Sequence, residues 1–95
     1  MQYVLHAYDF TDETAPQRRQ DVRPAHLEKA RQLKENGNFV LGGALLSPSG
    51  QMIGSMMIVD FEQESDLDKW LATDPYVTGR VWEKIDVKPF RQAQV

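Results

Sequence analysis

Two apolar runs flanking Ser47-Pro48-Ser49-Gly50 constrain this chain more than any other feature. Residues 38–46 (NFVLGGALL) and 51–61 (QMIGSMMIVDF) have strand length, and the Ser-Pro-Ser-Gly stretch between them reads as a tight turn. A β-hairpin at the centre of the chain follows. Its arms are apolar on both faces: Phe39, Leu41 and Leu45 against Val40, Ala44 and Leu46, then Met52, Met56 and Ile58 against Ile53, Met57 and Val59. An antiparallel sheet with one face in water alternates apolar with polar residues, so this pattern asks for cover on both sides.

The flanking segments supply one layer of cover. Residues 1–10 read as a strand, with Tyr3, Leu5 and Ala7 on one face and Val4, His6 and Tyr8 on the other. Residues 11–22 are polar and contain Pro16, which reads as a loop or a loop with a short helical turn. Pro24 suits the first position of a helix, where its missing N–H costs nothing, and Asn36-Gly37 is a good stop. Leu27, Ala30 and Leu33 make that helix's apolar stripe. Ser65 is the expected cap of a second helix carrying Leu67, Trp70 and Leu71, with Asp66 and Asp68 in its first turn. That helix ends near Asp74, since the residue before Pro75 is pushed out of the α region. Residues 79–90 form the last strand, with Val81, Ile85 and Val87 opposing Trp82 and Phe90. The order β-α-β-β-α-β predicts an α+β, ferredoxin-like fold: a four-stranded antiparallel sheet with two helices on one face. A second copy, packed sheet to sheet, is the expected cover for the other face.

Length and charge narrow the function classes. Ninety-five residues make a single domain, 1–95, near the lower edge of what one core sustains, which also favours a homodimer or larger homo-oligomer. The 11 basic residues are scattered in a chain of net charge −3, so nucleic acid is not an expected partner. The longest apolar run, Met56-Met57-Ile58-Val59, is far too short to span a bilayer. The absence of cysteine and of a basic-then-apolar leader makes the cytoplasm the expected location. No phosphate-cradling glycine loop occurs, and His6 with Asp9 and Asp12 lacks ligand spacing, so neither a cofactor nor a metal is expected.

The chemistry-bearing residues are His26, one of two histidines, and Asp74. In a split βαβ unit the end of one helix lies beside the start of the other, which brings Asp74 to His26 as a proton-transfer dyad. In a first turn the positive helix end opposes an imidazolium and a neighbouring carboxylate favours it. The same two residues also read as a cap and a Pro-fixed turn that fasten two helices. Arg23, one turn from His26, is placed to hold a substrate oxygen, whereas Arg18 and Arg19 read as part of a solvated basic loop. Gly42-Gly43 and Gly54-Ser55 interrupt adjacent strands, as glycines do at bulges and close approaches, and Ser55 is a hydrogen-bond donor there. Met52, Met56 and Met57 read as adaptable packing.

Arg23-Pro24-Ala25-His26-Leu27, Gly43, Gly54-Ser55, Asp74-Pro75-Tyr76 and Val87-Lys88-Pro89-Phe90 together, in this order, resemble the YCII-related family across nearly the whole chain. The resemblance implies a dimeric α/β barrel built from ferredoxin-like protomers and a His–Asp active site, which carries over to His26 and Asp74. Gly42-Gly43 departs from the Gly-Pro of many relatives, a change at the pocket rim. The family includes enzymes that eliminate halide from chlorinated hydroxyquinols, and related dimeric barrels include cofactor-free oxidation enzymes. The implied function is a cofactor-free small-molecule lyase with His26 and Asp74 catalytic, and with Arg23, Ser55, Tyr8 and Tyr76 holding or walling the substrate. The alternative is a non-catalytic dimeric small-molecule-binding or accessory protein.

Overall fold

The structure, a computed structural model, describes all residues 1–95. Its elements are β1 (Gln2–Asp9), α1 (Ala15–Glu35), β2 (Phe39–Leu46), β3 (Met52–Asp60), α2 (Glu64–Thr73), α3 (Pro75–Thr78) and β4 (Trp82–Phe90). The strands form one antiparallel sheet in the order β2-β3-β1-β4, the ferredoxin-like arrangement anticipated from the element order. Tyr3, Leu5 and Ala7 of β1 and Met57 and Val59 of β3 meet Leu33 of α1, Leu67 and Trp70 of α2 and Tyr76 of α3 in a single core, so the helices cover one face. Leu5, Val59 and Leu67 are fully buried there, each contributing about 1.5–3 kcal/mol of transfer free energy. No helix is long and apolar enough to cross a membrane.

The largest departure from the sequence reading is the start of α1. It begins at Ala15, and Pro16 rather than Pro24 occupies its opening turn, leaving Pro24 inside the helix. The segment expected as a loop is therefore helical. Its inward stripe is Ala15, Arg19, Val22, His26, Ala30 and Leu33, spaced by three and four residues, with Ala15, Arg19, His26 and Leu33 buried. Two of those positions hold charged or polar side chains, which hides the periodicity from any hydrophobic count. Pro24 deprives the Gln20 carbonyl of its helical partner, but both residues are solvent-exposed, so water can replace the lost bond. The far end follows expectation: Gly37 has φ +80°, and Asn38 N–H reaches Leu33 O at 2.8 Å while Gly37 N–H reaches Lys34 O at 3.1 Å.

The hairpin closes through Ser47 N–H to Gln51 O at 2.8 Å and Gly50 N–H to Ser47 O at 2.9 Å, with Gly50 at φ +88°. A bulge lies between Phe39 and Leu41, which pair with Val59 and Ile58 respectively. It switches the side on which β2 residues fall, so Phe39 sits with the core while Leu41 and Leu45 share the outer face. The extra residue also brings Gly42 and Ala44 to the helical side, opposite Met57 and Ser55. A second irregularity between Tyr8 and Asp9 turns Trp82 inward with Val81, where alternation alone opposed them. Gly54 is required by its neighbour: a Cβ there would stand 2.5 Å from the Ala7 carbonyl oxygen. At the second helix, Gln63 rather than Ser65 is the cap residue, and Glu64 and Asp66 occupy the first turn.

Candidate active site

Asp74 closes α2 in extended conformation, with φ −66° and ψ 132°, as the following proline demands. Its side chain then caps α3: Oδ1 accepts the Tyr76 N–H at 2.9 Å. The same oxygen lies 2.9 Å from His26 Nδ1. Both partners are buried, His26 to 8% and Asp74 to 1% exposure. An ionised carboxylate only accepts hydrogen bonds, so Nδ1 carries the proton and Nε2 keeps its lone pair when the ring is neutral. The imidazole stacks on Tyr76, with centroids 3.8 Å apart and planes 9° from parallel, and Trp82 meets it edge-on at 5.7 Å. Three contacts thus hold the ring in one orientation. Asp74 Oδ2 is buried without a partner.

Beside this pair lies a cavity of about 90 Å³ whose polar wall is Arg19, Arg23, His26, Ser55 and Tyr76, with Leu27, Ala30, Phe39 and Met57 on its apolar side. Most small-molecule pockets run from about 300 to 1,000 Å³, so this one takes only a compact ligand. Gly42 and Gly43 border it, and a Cβ at Gly42 would stand 3.1 Å from the Met57 side chain and 3.2 Å from the Phe39 ring. Arg19, only 3% exposed, donates from Nη1 to both Asp9 oxygens at 2.8 Å and from Nη2 to Ser55 Oγ at 3.0 Å. Its guanidinium also lies 4.8 Å above the Tyr76 ring. Trp82 Nε1 donates to the same Ser55 oxygen at 3.1 Å. Burial raises the Asp9 carboxyl above the ordinary aspartate range, and its hydrogen bond and charge attraction with Arg19 only partly offset this. Burial likewise pushes the Tyr76 phenol above its usual range.

His26, Asp74, Arg23, Ser55 and Tyr76 come together at or beside the cavity. Tyr8 does not: strand alternation puts it on the opposite face of the sheet, 48% exposed, across from Gly54 and Lys84. His26 meets Asp74 at the middle of α1 rather than at its first turn, so the helix-end field expected to act on it is absent. Arg19 is not part of a solvated loop; it is buried and ion-paired, while Arg18 pairs with Asp12 at the surface. Arg19, Asp9 and Trp82 are the site residues that sequence reasoning missed. The signal for Arg19 was its place seven residues before His26, two turns up the same helical face.

The fold and this constellation define a ferredoxin-like α+β protein with a buried His–Asp pair at a small cavity. The chain belongs to the YCII-related family, whose domain it matches over residues 1–91. It is 33% identical to Protein YciI of Escherichia coli O6:H1 over 98 residues, covering 97% of this chain and 98% of that protein. Among solved structures it resembles 5-chloro-2-hydroxyhydroquinone dehydrochlorinase (TftG) of Burkholderia phenoliruptrix, in complex with 2,5-dihydroxybenzoquinone, at a TM-score of 0.87 and 21% identity, covering 98% of this chain and 96% of that one. A dimeric ferredoxin-like protein of unknown function from Jannaschia superposes with a TM-score of 0.58 at 12% identity, covering 96% and 98% of the two chains. At these identities the likeness to solved structures establishes the fold.

Proposed function

We propose that this protein is a small-molecule enzyme of the lyase type in which His26 moves protons and Asp74 orients it. One observation carries the reading: His26 lines the cavity with Nδ1 held by Asp74, while Nε2 makes no hydrogen bond within the chain. A base so arranged takes a proton at Nε2, and the buried carboxylate balances the imidazolium that forms. Proton transfer with loss of a leaving group asks for no redox cofactor. Arg23 and Ser55 would hold substrate oxygens, and Tyr76 would wall the ring.

The likeness to a dehydrochlorinase favours a chlorinated hydroxyquinol as substrate. His26 would take one hydroxyl proton and deliver it to the ring carbon bearing chlorine, forming a keto tautomer. Loss of a second hydroxyl proton then expels chloride from that carbon, leaving a hydroxyquinone and hydrogen chloride. General acid–base catalysis supplies about a hundred- to ten-thousand-fold, and positioning in the cavity must supply the rest. The test is anaerobic chloride release from 5-chloro-2-hydroxyhydroquinone. The wild type should release chloride, and His26→Ala should lose at least a hundredfold. Tight binding without turnover would instead favour a non-catalytic small-molecule-binding or accessory protein.

A homodimer, in a cytoplasmic setting, belongs to this reading. Val4, Leu41, Leu45 and Met56 share the sheet face that no helix covers, with Leu41 and Tyr8 45% and 48% exposed there. Sheet-to-sheet pairing would bury them. Light scattering should give twice the protomer mass, and Leu41→Lys should lower it.

A further inference from the structure

Ser55 accepts two hydrogen bonds at one oxygen, from Arg19 Nη2 at 3.0 Å and Trp82 Nε1 at 3.1 Å. A serine hydroxyl has two acceptor lone pairs and one donor hydrogen. Neither neighbour can accept from it, since guanidinium and indole nitrogens only donate. Both lone pairs are therefore occupied, and the hydrogen must point elsewhere. No acceptor in the chain takes it, although Ser55 is only 3% exposed and lines the cavity.

We infer that Ser55 is a donor-only contact that reads an acceptor oxygen on the ligand, and that Arg19 and Trp82 are positioning residues that lock it in this role. A buried donor left without a partner disfavours any ligand that presents only N–H or C–H groups to it. Charge points the same way. Asp9 neutralises Arg19, whereas Arg23 lines the same cavity without a carboxylate partner. The cavity thus offers donors at Ser55 and Arg23 and an acceptor at His26 Nε2. The matching ligand is a compact hydroxy-oxo compound, best as an oxyanion, that gives a hydroxyl proton to one side and presents an oxygen to the other. This rests on the cavity being the ligand site proposed above, but not on proton transfer by His26.

Calorimetric titration with 2,5-dihydroxybenzoquinone tests it. The wild type should bind, and Ser55→Ala should weaken binding about tenfold or more. Ser55→Cys, similar in size but a weak donor and a weak acceptor, should fall between them and keeps the test valid if the alanine variant is poorly folded. Arg19→Lys and Trp82→Phe should each weaken binding severalfold in the wild type and have no further effect in the Ser55→Ala background. A merely structural role would weaken both backgrounds alike. Unchanged affinity in both Ser55 variants, equal effects of Arg19→Lys in the two backgrounds, or no binding to the wild type would each overturn the inference. Failure of the dyad reading would show separately, as chloride release that survives His26→Ala.

Discussion

Asp74 and Tyr76 are joined twice. The carboxylate accepts the Tyr76 backbone N–H at 2.9 Å, and the Tyr76 ring lies 3.8 Å from the imidazole that the same oxygen holds. One turn of chain, Asp74-Pro75-Tyr76, therefore supplies both the polar partner and the stacking surface for His26. The turn that ends one helix builds the site.

Asp74→Ala removes the cap of α3 and leaves a buried N–H and a buried imidazole without an acceptor. It should lower stability by about 2 kcal/mol in urea denaturation. Asp74→Asn keeps a carbonyl for the cap, so its stability loss should be smaller. Its activity should nonetheless fall at least a hundredfold, because the negative charge beside the imidazolium is gone. Equal stability losses in the two variants would contradict the capping role.

Arg19→Ala strands the Asp9 carboxylate, whose side chain is only 9% exposed, beside the core. Breaking a buried pair in this way costs about 3–5 kcal/mol at neutral pH. Burial already raises the Asp9 carboxyl even with the guanidinium present, and its loss should raise it further. The folded variant then holds a proton that the unfolded chain releases near pH 4, so its stability falls as pH rises through that window. Urea midpoints should show a smaller gap to wild type at pH 5 than at pH 7.5.

Gly54→Ala should be severe, and Gly43→Ala mild. The added methyl would stand 2.5 Å from the Ala7 carbonyl oxygen in the first case and meet nothing within 4 Å in the second. Because Ala7 O is backbone, β1 and β3 must separate to relieve the clash. A loss of about 3 kcal/mol is expected at Gly54, and a change within about 0.5 kcal/mol at Gly43. Thermal melts of the two variants check the contrast.

Tyr76 should resist ionisation in alkali. Burial is the largest influence raising its phenol, opposed in part by Arg19 and Arg23. The unfolded chain loses this proton near pH 10 and the folded chain later, so the stability due to Tyr76 is intact below pH 10 and declines as pH climbs through the folded value. Absorbance titration near 295 nm should show a tyrosine ionising together with unfolding, and Tyr76→Phe should remove that step.

The sequence alone carried the β-α-β-β-α-β order, the central hairpin and the stops of both long helices, but not the short α3 that follows Asp74. Those depend on local chemistry: Gly37 and Gly50 take positive φ, and Pro75 forces Asp74 out of the helix. It also singled out His26 and Asp74, since few residue types move protons and each sat at a punctuated helix segment. Where α1 begins is a matter of tertiary packing, because Arg19 and His26 occupy core-facing positions that hydrophobic periodicity does not count. Packing also decided that Phe39 and Trp82 face the site while Leu41 does not, whereas the side of Tyr8 follows from strand alternation alone. One extra residue in a strand exchanges its faces, and whether a bulge forms is settled by the register against β3 and β1, not by the strand's own residues.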